Sequence, residues 1–170
     1  MTKEIHRNYL EIKSPDDLKE VKKPFNNCFL NLVNPKDFQL NKFFYKQIGK
    51  KHNWYDRLVW SDKNWINYIS NTDVITYVLK HNSNLVGFSE LIIDKKKQEV
   101  EIAYLGILEE YFGKKLGGFL LSESIKKSFL FNINRIWVHT CSLDHKNALK
   151  NYLSRGMKVF KSEIVKKETA

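Results

Sequence analysis

The residues best placed to do chemistry lie between Val100 and Leu121, V-E-I-A-Y-L-G-I-L-E-E-Y-F-G-K-K-L-G-G-F-L-L. The pattern is a buried strand, an acidic and aromatic turn, a glycine-and-lysine loop and the first turns of an amphipathic helix. A strand that passes into a helix through such a loop gathers unpaired backbone N–H groups and the positive end of the helix dipole at one point. That combination suits a phosphate or pyrophosphate. Further on, His139 and Cys141 fall on one face of a strand and offer two metal ligands. No second ligand pair stands near them in the sequence, so no metal is expected.

Composition bounds what surrounds this stretch. A chain of 170 residues is long enough for one domain with a well-buried core, so residues 1–170 are expected to form a single domain. The 42% hydrophobic and 14% aromatic fractions are those of a folded protein, and no run reaches the apolar length that crosses a membrane. Residues 1–20 carry no apolar run of signal-peptide type, which gives the expectation of a cytoplasmic protein. Two cysteines, Cys28 and Cys141, are too few for a disulfide framework. The net charge of +10 comes from 25 lysines against four arginines, scattered in pairs rather than gathered on one element. Nucleic-acid surfaces concentrate their cations and favour arginine, so a nucleic-acid partner is not expected.

The elements that must position the loop follow from periodicity. Residues 7–12 alternate as a first strand, and Ser14-Pro15-Asp16-Asp17 ends it. Residues 18–36 are expected to be loop, because Pro24, Asn26 and Asn27 interrupt any helix. A helix is predicted over 37–49, closed by Gly49 as a C-terminal cap, and another over 62–70 capped by Ser61. Val74–Leu79 and Leu85–Ile93 form a hairpin about His81-Asn82-Ser83-Asn84, and Glu99–Ile107 is the third strand of a meander. A helix over 115–131 follows, then a strand over 135–141 that returns after a helical crossover and so pairs in parallel. A helix from Asp144 to Leu153, with Asp144 as its N-cap, a strand over 158–165 and a frayed tail complete the order β α α β β β α β α β. The fold class is α/β, an α+β arrangement with a mixed sheet.

Three features together resemble the GNAT superfamily of acyl-CoA-dependent N-acetyltransferases. E-I-A-Y-L-G-I resembles the family's central strand, Phe112–Gly118 its pyrophosphate loop, and A-L-K-N-Y-L-S-R-G-M its closing A-x-x-x-Y-x-x-x-G-F helix. The likeness covers residues 74–160 well and the N-terminal third only in element order. It implies a central, mostly antiparallel sheet with one parallel pair at the coenzyme A cleft, flanked by helices. It also implies transfer of an acetyl group from acetyl-CoA, as co-substrate and without a metal, to a primary amine by direct attack in a ternary complex. The loop departs from the usual Gln/Arg-x-x-Gly-x-Gly/Ala: Phe112 stands first, Lys115 replaces the first glycine, and Gly117 matches, followed by Gly118. A glycine pair admitting close helix–strand packing is the competing reading of Gly117 and Gly118.

The resemblance also assigns roles. Phe112, Gly113, Lys114, Lys115, Leu116, Gly117 and Gly118 would hold the pyrophosphate, with Leu105, Gly106 and Ile107 along the pantetheine arm. Gly106 is the expected strand bulge whose N–H meets the carbonyl oxygen; admitting a neighbouring side chain is the other use of a strand glycine. His145 stands where the family often has asparagine. Glu101 takes the general-base position, with Glu90 as the alternative base and His139 and His145 as further candidates. A lysine-like amine with pKa about 10.4 is only about one part in 2,500 neutral at pH 7, a deficit of roughly 4.6 kcal/mol, so its proton needs an acceptor. The competing reading of Glu101 is an outward strand residue paired with a lysine next door. Tyr152 occupies the family's tyrosine position, as a hydrogen-bond donor to the departing thiolate or a proton shuttle; full donation from a phenol of pKa about 10 to a thiol of about 8.5 is uphill by roughly 2 kcal/mol. Trp54 and Trp60 fall where the family builds its acceptor pocket, beside Tyr45, Tyr55 and Trp65, and core packing is the competing use of such rings.

Two other classes compete with an enzyme: a catalytically silent acyl-CoA-binding module and a basic nucleic-acid-binding domain. The expected partner is a small-molecule or protein amine acceptor, with no membrane contact. The sequence leaves the oligomeric state open, a homodimer included.

Overall fold

The computed structural model describes residues 2–168. Seven strands form one sheet in the order β2-β3-β4-β5-β6-β1-β7, made of β1 (Thr2–Ile12), β2 (Cys28–Leu32), β3 (Val74–His81), β4 (Asn84–Asp94), β5 (Glu99–Ile107), β6 (Arg135–Cys141) and β7 (Lys158–Glu168). All neighbours are antiparallel except β5 and β6. This is the mixed sheet with a single parallel pair that the sequence predicts. Helices α1 (Phe38–Gly49) and α2 (Asp62–Ser70) pack against β3, β4 and β5, and α3 (Leu116–Ser128) packs against β4, β5 and α4 (Ala148–Ser154).

Local chemistry explains the elements. The β3–β4 turn places Asn82 and Ser83 at φ +49° and +66°, the two-residue turn whose twist matches paired strands. Ser61 Oγ accepts from the Asn64 N–H at 3.2 Å while Asn64 Oδ1 accepts from the Ser61 N–H at 3.0 Å, a reciprocal cap that starts α2. On α3, Leu116, Leu120, Leu121 and Ile125 are fully buried against the sheet. Each such side chain contributes about 1.5–3 kcal/mol. On the opposite face Phe44 of α1 lies flat on Phe88 of β4, centroids 5.0 Å apart, and anchors a second cluster with Ile48, Val78 and Leu108.

The structure corrects several expectations. Residues 28–32 form the edge strand β2 instead of loop. Gly49 is the last residue of α1 and not a left-handed cap; a side chain there would meet Trp54 Cβ at 2.6 Å, so the glycine makes room for an indole. The helix expected from Asp144 begins at Ala148, because the Asp144 carboxylate instead accepts from the Thr140 hydroxyl (2.7 Å) and the Cys141 N–H (2.8 Å). Lys115 precedes α3, which ends at Ser128. Strand β1 starts five residues earlier than expected, and residues 166–168 of the expected frayed tail lie in β7 beside β1; Thr169 and Ala170 fall outside the described residues. Cys28 is buried and Cys141 half-buried, and neither is in a disulfide among the described residues.

Candidate active site

Only three rungs join β5 to β6: Glu99 opposite Arg135, Val100 opposite Ile136 and Glu101 opposite Trp137. Beyond Glu101 no further pairing joins the strands, and a cleft of about 1190 Å³ opens there, lined on the β5 side by Leu105, Gly106 and Ile107. The start of α3 forms one end of it. Gly113 and Lys115 are both left-handed, φ +77° and +61°, and among the described residues no side chain caps the helix. The first-turn N–H groups of Leu116, Gly117 and Gly118 are therefore bare, and all three residues line the cleft.

The two glycines differ in their surroundings. A side chain on Gly118 would come within 2.5 Å of Arg155 Nη1, the end of a flexible side chain, and 3.2 Å of Val21, so its near neighbours are a loop and the end of α4, not a strand. One on Gly117 would meet nothing nearer than 3.9 Å, so packing does not require that glycine. The Gly117 carbonyl accepts from Asn151 Nδ2 at 3.2 Å, and the buried Nε of Arg155 has no hydrogen-bond partner among the described residues. Asn151 and Arg155 thus bring polar groups to the loop from α4, which sequence reading did not single out.

Tyr152, one turn along α4, is buried on the same cleft, and burial, followed by the charge of Asp144, pushes its phenol well above the usual tyrosine range. A neutral phenol there can donate a hydrogen bond into the cleft. Phe112 packs edge-on against His145 (5.1 Å), and His145 against His52 (5.7 Å), so three loops meet across the cleft. The His145 Nδ1 accepts from the Asn147 N–H at 3.1 Å. Burial, then the neighbouring His145 and Lys51, draws the His52 imidazole below its ordinary value, against the pull of Asp144. Lys114 is exposed and turned over the Tyr111 ring at 5.6 Å; unlike Lys115, it is not part of the cleft wall.

Residues 38–157 match the model of the Acetyltransferase (GNAT) family. The chain belongs to this family. Among solved structures, it is similar to a GCN5-related N-acetyltransferase from Kribbella flavida (14% identity, TM-score 0.66, covering 94% of this chain and 56% of that one). A second, from Sphaerobacter thermophilus, shares 12% identity at TM-score 0.69, covering 95% and 50%. A third is the aminoglycoside acetyltransferase meta-AAC0020 from an uncultured soil metagenomic sample, with 11% identity at TM-score 0.65, covering 78% and 90%. At these identities the likeness is one of fold, and the chain spans only about half of the first two proteins. Comparison with curated proteins finds no match.

A second part of the cleft lining in this GNAT chain lies towards α1 and α2. Glu101 is half-buried on the cleft wall, and burial raises its carboxyl above the usual range, with Arg57 opposing and Glu90 and Glu99 adding to the rise. Its cross-strand neighbours are Ile92 and Trp137, so the lysine partner of the competing reading is absent from both flanks. Glu90 is corrected outright: it is buried away from the cleft wall and accepts from Asn41 Nδ2 (2.9 Å), the Tyr68 hydroxyl (2.9 Å) and Arg57 (3.0 Å). Gly106 is corrected as well. The register slips between Glu90/Tyr104 and Leu91/Ile102, which puts the bulge at Ala103, and Gly106 instead admits Ile48, whose Cγ2 would lie 2.7 Å from an added Cβ.

Trp54 and Trp60 both line the cleft, Trp54 against Tyr104 (4.7 Å) and Trp60 against Trp65 (5.0 Å). Between them lies the residue that sequence reading missed, Arg57. Its guanidinium is enclosed by Tyr68 (4.3 Å), Tyr104 (4.5 Å), Trp60 (4.8 Å), Trp65 (5.5 Å) and Tyr45 (5.7 Å). Burial works to lower its pKa, but Glu90 outweighs that and holds the cation above its ordinary value. One of four arginines in a lysine-rich chain, set in W-Y-D-R-L-V-W, was the available signal. Among the described residues no group of three His, Cys, Asp or Glu side chains is close enough to hold a metal, and no helix is long and apolar enough to cross a membrane.

Proposed function

We propose that this GNAT member is an acetyl-CoA-dependent N-acetyltransferase that modifies a primary amine of a small molecule or protein by direct attack in a ternary complex. The observation that carries the reading is the parting of β5 and β6 at Glu101, with bare helix N–H groups at one end of the opening and a carboxylate of raised pKa at the other. A volume of about 1190 Å³ exceeds the span usual for one small ligand and suits a long thioester together with an acceptor.

Acetyl-CoA would supply an acyl carbon activated as a thioester. The amides of Leu116–Gly118, aided by Lys115 and Arg155, would hold the diphosphate, and Leu105–Ile107 would flank the arm. Glu101 accepts the proton that the acceptor ammonium must lose, and its raised pKa brings it closer to that task than an ordinary glutamate. The new C–N bond forms as the C–S bond breaks. Tyr152 donates a hydrogen bond to the departing sulfur, the second proton shed by the acylated nitrogen passes to the thiolate, and the products are an amide and a free thiol. Backbone N–H groups freed at the Ala103 bulge are the candidates for steadying the carbonyl oxygen.

The chain is read as one domain, cytoplasmic, free of membrane and nucleic acid, with a homodimer compatible with the exposed edge strand β7. Calorimetry with coenzyme A and thiol-release assays over an amine panel test the reading together. Binding without thiol release from any amine would replace it with a silent acyl-CoA-binding module. Stabilisation by DNA and not by coenzyme A would replace both.

A further inference from the structure

The side of the sheet that carries Glu101 continues past the cleft. Strand register places Trp137 beside Glu101, Glu11 beside Trp137, and Tyr9 beside His139 on the same face. Tyr9 stacks with Trp137 at 6.3 Å and lies 6.1 Å from Phe160 of β7, so three aromatic rings run outward from the carboxylate across β6, β1 and β7. Helices α1 and α2 lie over β3–β5 on this side, and the ring platform stays partly open, with Phe160 43% exposed.

The charges on the platform are already matched. Arg135 reaches Glu11 (2.6 Å) and Glu99 (3.0 Å), and Lys161 and Arg7 reach Glu163 (3.5 and 3.7 Å). Lys158, opposite Glu11 in the register, is an exception and makes no ion pair among the described residues. Glu101 makes no ion pair within 4 Å among the described residues, and it is the carboxylate directly beside Trp137 on β5. Across the cleft mouth the rings of Trp60, Tyr68 and Tyr104 already face Arg57, so those faces are taken by a cation of the chain itself.

Resting on the acetyltransferase reading, we infer that the acceptor is a monoamine with an aromatic body, which stacks on Trp137 and Tyr9 while its single amine reaches Glu101. An aromatic–aromatic contact of this kind adds to what burial alone contributes, enough to rank amines. Polyamines, aminoglycosides and lysine peptides would need further carboxylates on the platform that are already occupied.

The test uses the full chain with acetyl-CoA and four acceptors: phenethylamine, spermidine, kanamycin and a lysine-containing peptide. Phenethylamine is expected to give a kcat/KM at least about tenfold above the others. Trp137→Ala should raise its KM about tenfold, equivalent to about 1.4 kcal/mol, with kcat and coenzyme A affinity little changed and Trp137→Phe restoring most of the loss. Preference for a polycation or the peptide, or an unmoved KM in Trp137→Ala, overturns the inference. Should coenzyme A bind while no amine is acetylated, the catalytic reading fails by itself, and NMR decides this one. Shifts of the Trp137 indole on adding phenethylamine uphold it, and their absence overturns it.

Discussion

Arg57 and Glu90 form a two-pronged ion pair, Nη1 to Oε1 at 3.0 Å and Nη2 to Oε2 at 2.9 Å, with side chains only 9% and 1% exposed. Because Glu90 also satisfies Asn41 and Tyr68, it ties α1, α2 and the loop between them to β4. Glu90→Ala would leave a buried cation and two donors without partners, and a loss of about 3–5 kcal/mol is expected in urea unfolding at neutral pH. Arg57→Lys should also destabilise, since an ammonium cannot reproduce the planar fork or the ring contacts.

Glu101→Gln separates catalysis from stability. Thiol release should fall by at least about 100-fold if the carboxylate takes the proton. The folded-state pKa of Glu101 is raised, so between the ordinary carboxylate range and that raised value the native state holds the proton more tightly than the unfolded chain, and stability declines as pH rises through that window. Thermal melts from pH 4 to 8 should show a shallower decline for Glu101→Gln, while the acid limb of the wild-type rate profile lies above the usual carboxylate range.

Tyr152→Phe should lower kcat about ten- to hundredfold with coenzyme A affinity unchanged, the mark of a contact made as the sulfur departs. Ultraviolet titration provides a second readout. The raised pKa means that Tyr152 contributes stability below the ordinary phenol value of about 10, lost as pH climbs beyond it, and that it ionises only with unfolding.

Lys115 occupies a left-handed backbone position where the family favours glycine. Asparagine tolerates that conformation and carries no charge, so Lys115→Asn isolates the electrostatic part. Coenzyme A affinity is expected to fall about two- to fivefold, with a flatter salt dependence and an unchanged melting temperature. A wild-type affinity would show that only the backbone of the loop matters.

The strands β3 to β5 and helix α3 were legible because β-branched alternation and helical spacing are local signals. Strand β2 was not: five residues long, with only Cys28 and Leu30 buried, it follows a run of Pro24, Asn26 and Asn27 and owes its pairing to β3. Asp144 looked like a helix cap because cap chemistry and turn chemistry use the same side chain. The cleft loop and Tyr152 stood out through spacing, whereas the partnership of Arg57 with Glu90, 33 residues away, depends on packing that no window of sequence contains. Gly106 drew attention as the glycine of its strand, yet the slip in register fell at Ala103, where nothing in the residue type announces it.

The early separation of β5 from β6 has a mechanical meaning. Each strand there presents a flank of peptide groups without a neighbour, and an occupant bearing amides of its own would serve as a borrowed rung between them. Loading would then knit the two halves of the sheet together, so the chain with its cleft filled should be a stiffer body than the chain without an occupant, with amide exchange along Ala103–Ile107 slowing as the gap is filled.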